Sequence, residues 1–380
     1  MVTDRVEETL IDESGLRRAE AREDASRRPC SSAKALPLNS TTFPAIAAKG
    51  TLIISDEFNH SSIRFGSRLS GGMVRQYKHN DMNHLAKLLR ESISQGQPRT
   101  HRPWKKIIVV VEGIYSMEGT IVNLPALYAL KAIYKFYLYV DEAHSIGALG
   151  PRGRGVCDYF GLDPEEIDIM MGTLTKSFGA SGGYIAGKAS IIRALRAKNH
   201  SSVYGPPSRL ANPHHRRLIR IPPRSSLVRS SRRAKNAFVD SPFNARYLSS
   251  GLRKLGFIVY GDRDSPIIPL LIFHPGKMLQ FSRMMLERYA IVVVVVAYPA
   301  TPLVSSRVRF CVSASHTKED IDKILIATDQ IGELLGLKMS KRNGFLSNPS
   351  ALTHPIVNLD GNQRWDIQTV LDNSLALVLY

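Results

Sequence analysis

Two short apolar runs, Phe136 to Val140 and Ile167 to Met171, constrain this chain more than any other feature. Each is bounded by turn residues and has strand length, the pattern of a strand buried in a parallel sheet. The first leads into Asp141-Glu142-Ala143-His144. The second leads into Gly172-Thr173, with Lys176 just beyond. In open α/β sheets ligands bind in the crevice outside the carboxyl ends of the strands. Two successive runs that each deliver a charged residue there mark a candidate active site. A lone lysine is ordinarily solvated. A lysine, an acid and a histidine gathered among glycines are a different case.

The flanking sequence extends the pattern. Strands are expected at Thr51–Ser55, Met73–Tyr77 and Lys106–Val111, and helices behind Asp81 and over Leu124–Tyr134. Asp81 is a good N-cap, Leu85, Leu88 and Leu89 repeat at helical spacing, and Pro125 suits a first turn. Gly66 to Gly72 is glycine-spaced. Ser181 to Gly187 turns the chain back, and Ser190 to Lys198 has helical character. This βα alternation predicts a parallel sheet covered by helices. Beyond Phe243 come a helix over Asn244–Lys254 and strands at Phe257–Tyr260, Ile267–Phe273, within Ala290–Ala297 and at Val308–Ser313. Helices are expected from Met278 to Glu287 and from Asp320 to Leu335, so this second region reads as a small α+β domain.

Composition closes several routes. Cys30, Cys157 and Cys311 are too few and scattered for a disulfide scaffold or a metal knuckle. The most apolar stretch, Ala290 to Ala297, is under half a membrane span. The net charge of +18 would suggest nucleic acid, but half of it lies in the 27 residues from Arg209 to Lys235, with eight arginines, one lysine and no acid. That segment lacks interleaved aromatics and a docking-helix pattern, so no nucleic-acid partner is expected. Residues 1–38 show no periodicity and no expected place in the core.

The chemistry follows from residue type and position. Lys176, on a loop after a buried strand, suits a Schiff base with a carbonyl if its amine is partly desolvated. Asp141, at a strand end, needs a cationic partner, and a protonated pyridine nitrogen is one. His60 follows a strand and could stack on a flat ring; packing against Phe58 is the competing reading. His144 and Ser116 lie past strand ends within reach of a phenolic oxygen, and the Thr173 hydroxyl suits a phosphate. For these three, satisfying a nearby turn is an equally open reading.

The segments SDEFNHSSI, VEGIYSMEG, YVDEAHSIGALGPRGRG, DIMMGTLTKSFGASGGYIAG, VVVVAYPATP and VRFCVSASHT together resemble the pyridoxal-phosphate-dependent α-oxoamine synthases. Within that family they resemble the lysine-bearing catalytic subunits of serine palmitoyltransferases. The resemblance implies an α/β, PLP-dependent aminotransferase-like (fold type I) large domain and a smaller C-terminal α+β domain. It places a partial large domain at 39–204, an aberrant basic segment at 205–242, the small domain at 243–340 and an unassigned tail at 341–380. It implies that Lys176 carries pyridoxal 5'-phosphate and then acts as proton-transfer base. Asp141 pairs with the pyridine nitrogen, His60 stacks on the ring, and His144 and Ser116 address the phenolic oxygen. Thr173 holds phosphate and Arg309 takes the substrate carboxylate. The implied reaction joins L-serine to palmitoyl-CoA, giving 3-ketodihydrosphingosine, carbon dioxide and CoA, the first step of sphingolipid synthesis. The implied setting is a heterodimer with a lysine-lacking partner subunit, on the cytosolic face of the endoplasmic reticulum membrane.

Three departures from the family pattern bear on activity. The family's glycine-aromatic phosphate loop is replaced here by SSAKALPL, within a chain that lacks the family's earlier N-terminal part. The family's threonine- or serine-rich strand and long helix are replaced by Pro206-Pro207 and clustered arginines. The last 40 residues match nothing in the family. These departures lead to the expectation of weak cofactor binding. They also keep open an alternative: a catalytically inactive or incomplete paralogue that serves as a binding or regulatory partner.

Overall fold

The computed structural model describes residues 27–32, 35–179, 182–199, 231–298, 300–302 and 305–339. The chain divides into two compact units, one from residues 1–115 and 121–232, the other from 116–120 and 233–380.

The first unit is built on a seven-stranded sheet in the order β1-β7-β6-β5-β4-β2-β3. Its strands are β1 (Arg27–Ser32), β2 (Thr51–Asp56), β3 (Met73–Tyr77), β4 (Lys106–Glu112), β5 (Tyr137–Asp141), β6 (Ile169–Thr173) and β7 (Gly183–Lys188). The run β3-β2-β4-β5-β6 is parallel, and β7 and β1 add antiparallel. The helices are α1 (Ala35–Ile46), α2 (Ser61–Leu69), α3 (Met82–Gln95), α4 (Leu124–Tyr134), the short α5 (Val156–Phe160) and α6 (Ala189–Lys198). Strands β2 and β6 are buried throughout and β5 from Leu138 onward, which is why they read as apolar runs. Ile53, Val110, Tyr139 and Met171 share one core with Phe43 of α1 and Ile63 of α2. Each such aliphatic side chain contributes about 1.5–3 kcal/mol by its burial.

The second unit has a three-stranded antiparallel sheet in the order β8-β10-β9, from β8 (Ile267–Leu271), β9 (Val294–Val296) and β10 (Arg307–Cys311). Around it pack α7 (Ser231–Lys254), α8 (Pro275–Tyr289) and α9 (Lys318–Leu335), with Leu252, Phe257, Phe281, Val308 and Leu325 in the core. Helix α9 opens with a capping box in which Thr317 and Asp320 bond each other's backbone N–H. Among the described residues no helix is long and apolar enough to cross a membrane.

Several expectations need correction. No helix was expected over Ser61–Leu69, yet α2 forms there and overlaps the glycine-spaced stretch, with Ser62, Ile63, Gly66 and Ser67 as its buried face. Small and polar residues at a tight helix contact carry no apolar period, so the pattern hid the helix. Residues 27–32, placed outside the fold by the same criterion, pair with β7 at the sheet edge, and α1 starts at Ala35. An edge strand is held by backbone pairing on one side and needs no alternation. Helix α7 begins at Ser231, inside the segment read as aperiodic. The Val-rich run forms only the edge strand Val294–Val296, with Val292 81 % exposed. Phe257–Tyr260 makes one bridge, Val259 to Leu270, flanked by two backbone bonds to β8. The basic segment over 205–230 and the tail from 340 lie outside the described residues.

Candidate functional site

Sheet register brings the candidate residues of the first unit to one edge. Glu112 ends β4 opposite Asp141, and Asp141 lies opposite Met171 of β6, two residues before Thr173. His60 follows β2 and is the N-cap of α2. All four therefore belong to the carboxyl ends of parallel strands.

Asp141 is 3 % exposed and accepts two hydrogen bonds, from Asn39 Nδ2 to Oδ2 (2.9 Å) and from the Ala143 backbone N–H to Oδ1 (2.9 Å). Burial pushes its carboxyl above the usual carboxylate range; the two hydrogen bonds and the charges of Lys176 and His60 oppose that rise without cancelling it. Both hydrogen-bond donors are neutral. A buried carboxylate in this state favours an additional cationic N–H.

His60 takes its orientation from α2. Its Nδ1 lies 2.8 Å from Ser62 Oγ and accepts the Ser62 backbone N–H at 3.2 Å, while its own backbone N–H donates to Glu112 Oε1. Desolvation lowers its pKa most, Asp141 opposes, and Lys176 and Arg64 lower it further. The residue remains open to solvent, so that desolvation is partial.

Lys176 stands on the exposed loop after β6, where Gly179 N–H donates to its carbonyl at 3.2 Å. Its side chain is exposed, whereas a reactive amine requires partial desolvation. The loop is fixed from beneath by Gly147, which takes φ +77°; a Cβ there would come within 2.6 Å of Ser177 Cβ. Thr173 is 3 % exposed and its hydroxyl donates to the Ala143 carbonyl at 3.4 Å. His144 is half-buried in the turn after β5. Its neighbour Glu142 is fully buried, accepts from Ser145 Oγ and from the Val156 N–H, and is pushed up to about 7, by burial first.

Ser116 and Arg309 lie together in the second unit. Arg309 Nη1 donates to the Ser116 carbonyl at 2.9 Å, and its Nε, buried, has no partner among the described residues. Arg307, two residues earlier on the same face of β10, donates to the Met117 carbonyl at 3.1 Å and sits 3.7 Å from Glu118. Arg309 thus holds one guanidinium arm on the backbone and keeps a donor unsatisfied, which suits a carboxylate. Asn39 and Arg307 went unnoticed in the sequence because neither stands in a periodic or motif signal, and Ser62 and Glu112, though inside quoted motifs, were given no role.

A helix-covered parallel sheet with an acid and a lysine at adjacent strand ends defines a class, and the sequence matches it. The chain belongs to the aminotransferase class I and II family, whose profile it matches over residues 6–327. It is 51 % identical to serine palmitoyltransferase 2 of Schizosaccharomyces pombe over 89 % of this chain and 56 % of that protein. It is also 51 % identical to human serine palmitoyltransferase 3 over 80 % of this chain and 54 % of that one. The chain therefore spans little more than half the length of these relatives. A solved structure of SPT with a PLP internal aldimine superimposes with a TM-score of 0.70 at 27 % identity, covering 86 % of this chain and 76 % of that one.

Proposed function

We propose that this chain is a catalytic subunit for the PLP-dependent condensation of L-serine with palmitoyl-CoA. The observation that carries this reading is the corner formed by Asp141, His60 and Lys176. A buried carboxylate with only neutral hydrogen-bond donors is coupled electrostatically to Lys176 and to the His60 imidazole, which follow neighbouring strands. The residues fit the ring end of PLP: Asp141 supplies an anion for the pyridine nitrogen, His60 a flat face and Lys176 the amine. When bound, PLP supplies an electron sink that stabilises negative charge at the substrate α-carbon during proton loss and decarboxylation.

The protein's own share of the work is electrostatic and acid–base. Asp141 keeps the ring nitrogen protonated by pairing with it in a buried setting. Lys176 Nζ removes and returns the proton at the α-carbon. Thr173 would supply its hydroxyl to the phosphate, and His144 would address the phenolic oxygen and help activate the thioester carbonyl. Ser116, also for the phenolic oxygen, and Arg309, for the serine carboxylate, take their roles from the resemblance. The unsatisfied Nε of Arg309 supports the latter assignment. The names of the serine palmitoyltransferase relatives support the substrate class and sphingolipid synthesis. A lysine-lacking partner subunit and a place on the cytosolic face of the endoplasmic reticulum complete the proposal.

The test is product formation by the full chain, alone and mixed with a lysine-lacking subunit, with PLP, L-serine and palmitoyl-CoA. Release of CoA and 3-ketodihydrosphingosine is expected and should vanish in Lys176→Ala. Product formation that is indifferent to Lys176→Ala, or absent with saturating PLP and partner, contradicts the reading.

A further inference from the structure

Asn39 uses both amide N–H groups and its carbonyl inside the first unit. It is 1 % exposed, on the second turn of α1. Nδ2 donates to Asp141 Oδ2 at 2.9 Å and to Ser62 Oγ at 3.0 Å, and Oδ1 accepts from Tyr139 OH at 2.7 Å. An ionised carboxylate only accepts, so the amide nitrogen must face Asp141. Tyr139 and Asp141 are two apart on β5 and project to the same face, which lets one side chain reach both.

Packing fixes the amide in place. Phe43, one turn along α1 from Asn39, meets the Tyr139 ring at 5.0 Å. On the other side α2 approaches α1 through Gly66, where a Cβ would come within 2.7 Å of the Asn39 backbone carbonyl oxygen. Any larger residue there would push Ser62, one turn back along α2, away from the amide. His60 Nδ1 accepts the Ser62 N–H and so carries no proton itself, which makes Ser62 Oγ, already an acceptor for Asn39, the donor in its 2.8 Å contact with Nδ1. Two donors on Nδ1 place the ring proton on Nε2 and oppose protonation of the ring.

We propose that Asn39 is a positioning residue whose single amide orients the Asp141 carboxylate and, through Ser62, holds His60 as a neutral ring protonated on Nε2. The acid and the imidazole are thus presented together before any ligand arrives. The functional meaning rests on the assignment of Asp141 and His60 to ring binding. The coupling itself belongs to the chain without PLP and is measured there.

The experiment is histidine-selective NMR titration of the cofactor-free full chain, with His60 assigned by loss of its signal in His60→Asn. Other charges facing the ring are Asp141, Lys176 and Arg64, with Glu112 on its backbone N–H; Ser62→Ala leaves their hydrogen bonds in place, whereas Asn39→Ala also removes a donor from Asp141, which by itself would lower the His60 midpoint. The native ring is expected to show the Nε2–H signature and to titrate below 6.5. Asn39→Ala and Ser62→Ala should each raise that midpoint by roughly half a unit or more. If the two act in series, the double variant should move no further than Ser62→Ala alone. Tyr139→Phe frees the amide to rotate without opening a cavity, and should give a smaller shift of the same sign. An unmoved midpoint in Asn39→Ala, or fully additive shifts, overturns the proposal. Should Asn39→Ala fail to fold, unmoved midpoints in both Ser62→Ala and Tyr139→Phe overturn it. Loss of PLP binding without change in these titrations would count against the proposed function and leave the coupling intact.

Discussion

The corner around Asp141 and the loop that carries Lys176 are adjacent in the first unit and are built in opposite ways. Asp141 is buried, doubly hydrogen-bonded and tied to α1, whereas Lys176 is exposed on a loop braced by Gly147 beneath Ser177. One half is organised before a ligand arrives. The other is left exposed in the free chain. A buried carboxylate with neutral donors is a cost in the free chain, and a cationic ring nitrogen would offset that cost.

The largest effect is expected where the two halves meet. Lys176→Ala should abolish cofactor-dependent absorbance and lower condensation at least about a thousandfold, since it removes both the attachment amine and the proton-transfer base. Its thermal midpoint without PLP should match the native chain, because an exposed side chain contributes little to packing. Asp141→Asn should separate function from stability. It is expected to lower activity roughly a hundredfold or more, yet leave the cofactor-free chain as stable or more so, since a neutral amide is cheaper to bury. A large loss of stability in that variant would show that Asp141 is held for the fold instead.

A pH series sharpens the contrast from within the buried half. Glu142 is raised to about 7 in the folded chain against 4.5 as the ordinary value. The folded state therefore binds more protons than the unfolded state between those values. Stability is highest below pH 4.5 as far as this group is concerned, and falls as pH rises to about 7, by at most about 3 kcal/mol. Glu142→Gln should flatten that part of the denaturation profile, and an unchanged slope would reject the assignment. The smallest effect is expected remote from the site. Thr317→Ala removes the α9 cap and should cost about 1 kcal/mol in urea denaturation without altering PLP absorbance.

How much of this was legible depended on where each signal lived. Helix α4 and strand β3 fall at the bounds read from the sequence, and Asp81 caps α3 as expected, because caps and apolar periods are local. Asp141 and Lys176 were readable because each stands just past a buried run. Helix α2 was not, since it buries serines and a glycine against α1. Asn39 was hidden for a different reason: its partners lie 23, 100 and 102 residues away, and no local pattern encodes such a bond. The exposure of Lys176 was likewise invisible, because loop conformation after a strand leaves no periodic trace.

The central claim is that Lys176, among the many lysines of this basic chain, is the amine poised for the cofactor. The direct measurement is incubation of the full chain with PLP, borohydride reduction and peptide mapping of the pyridoxyl label. The SSAKALPL segment in place of a glycine-aromatic loop leads to the expectation that excess PLP is needed and that unreduced cofactor dialyses away. The account predicts one dominant label on Lys176, greatly reduced in Asp141→Asn. A label spread over surface lysines, or equal labelling in the Lys176→Ala chain, would contradict it.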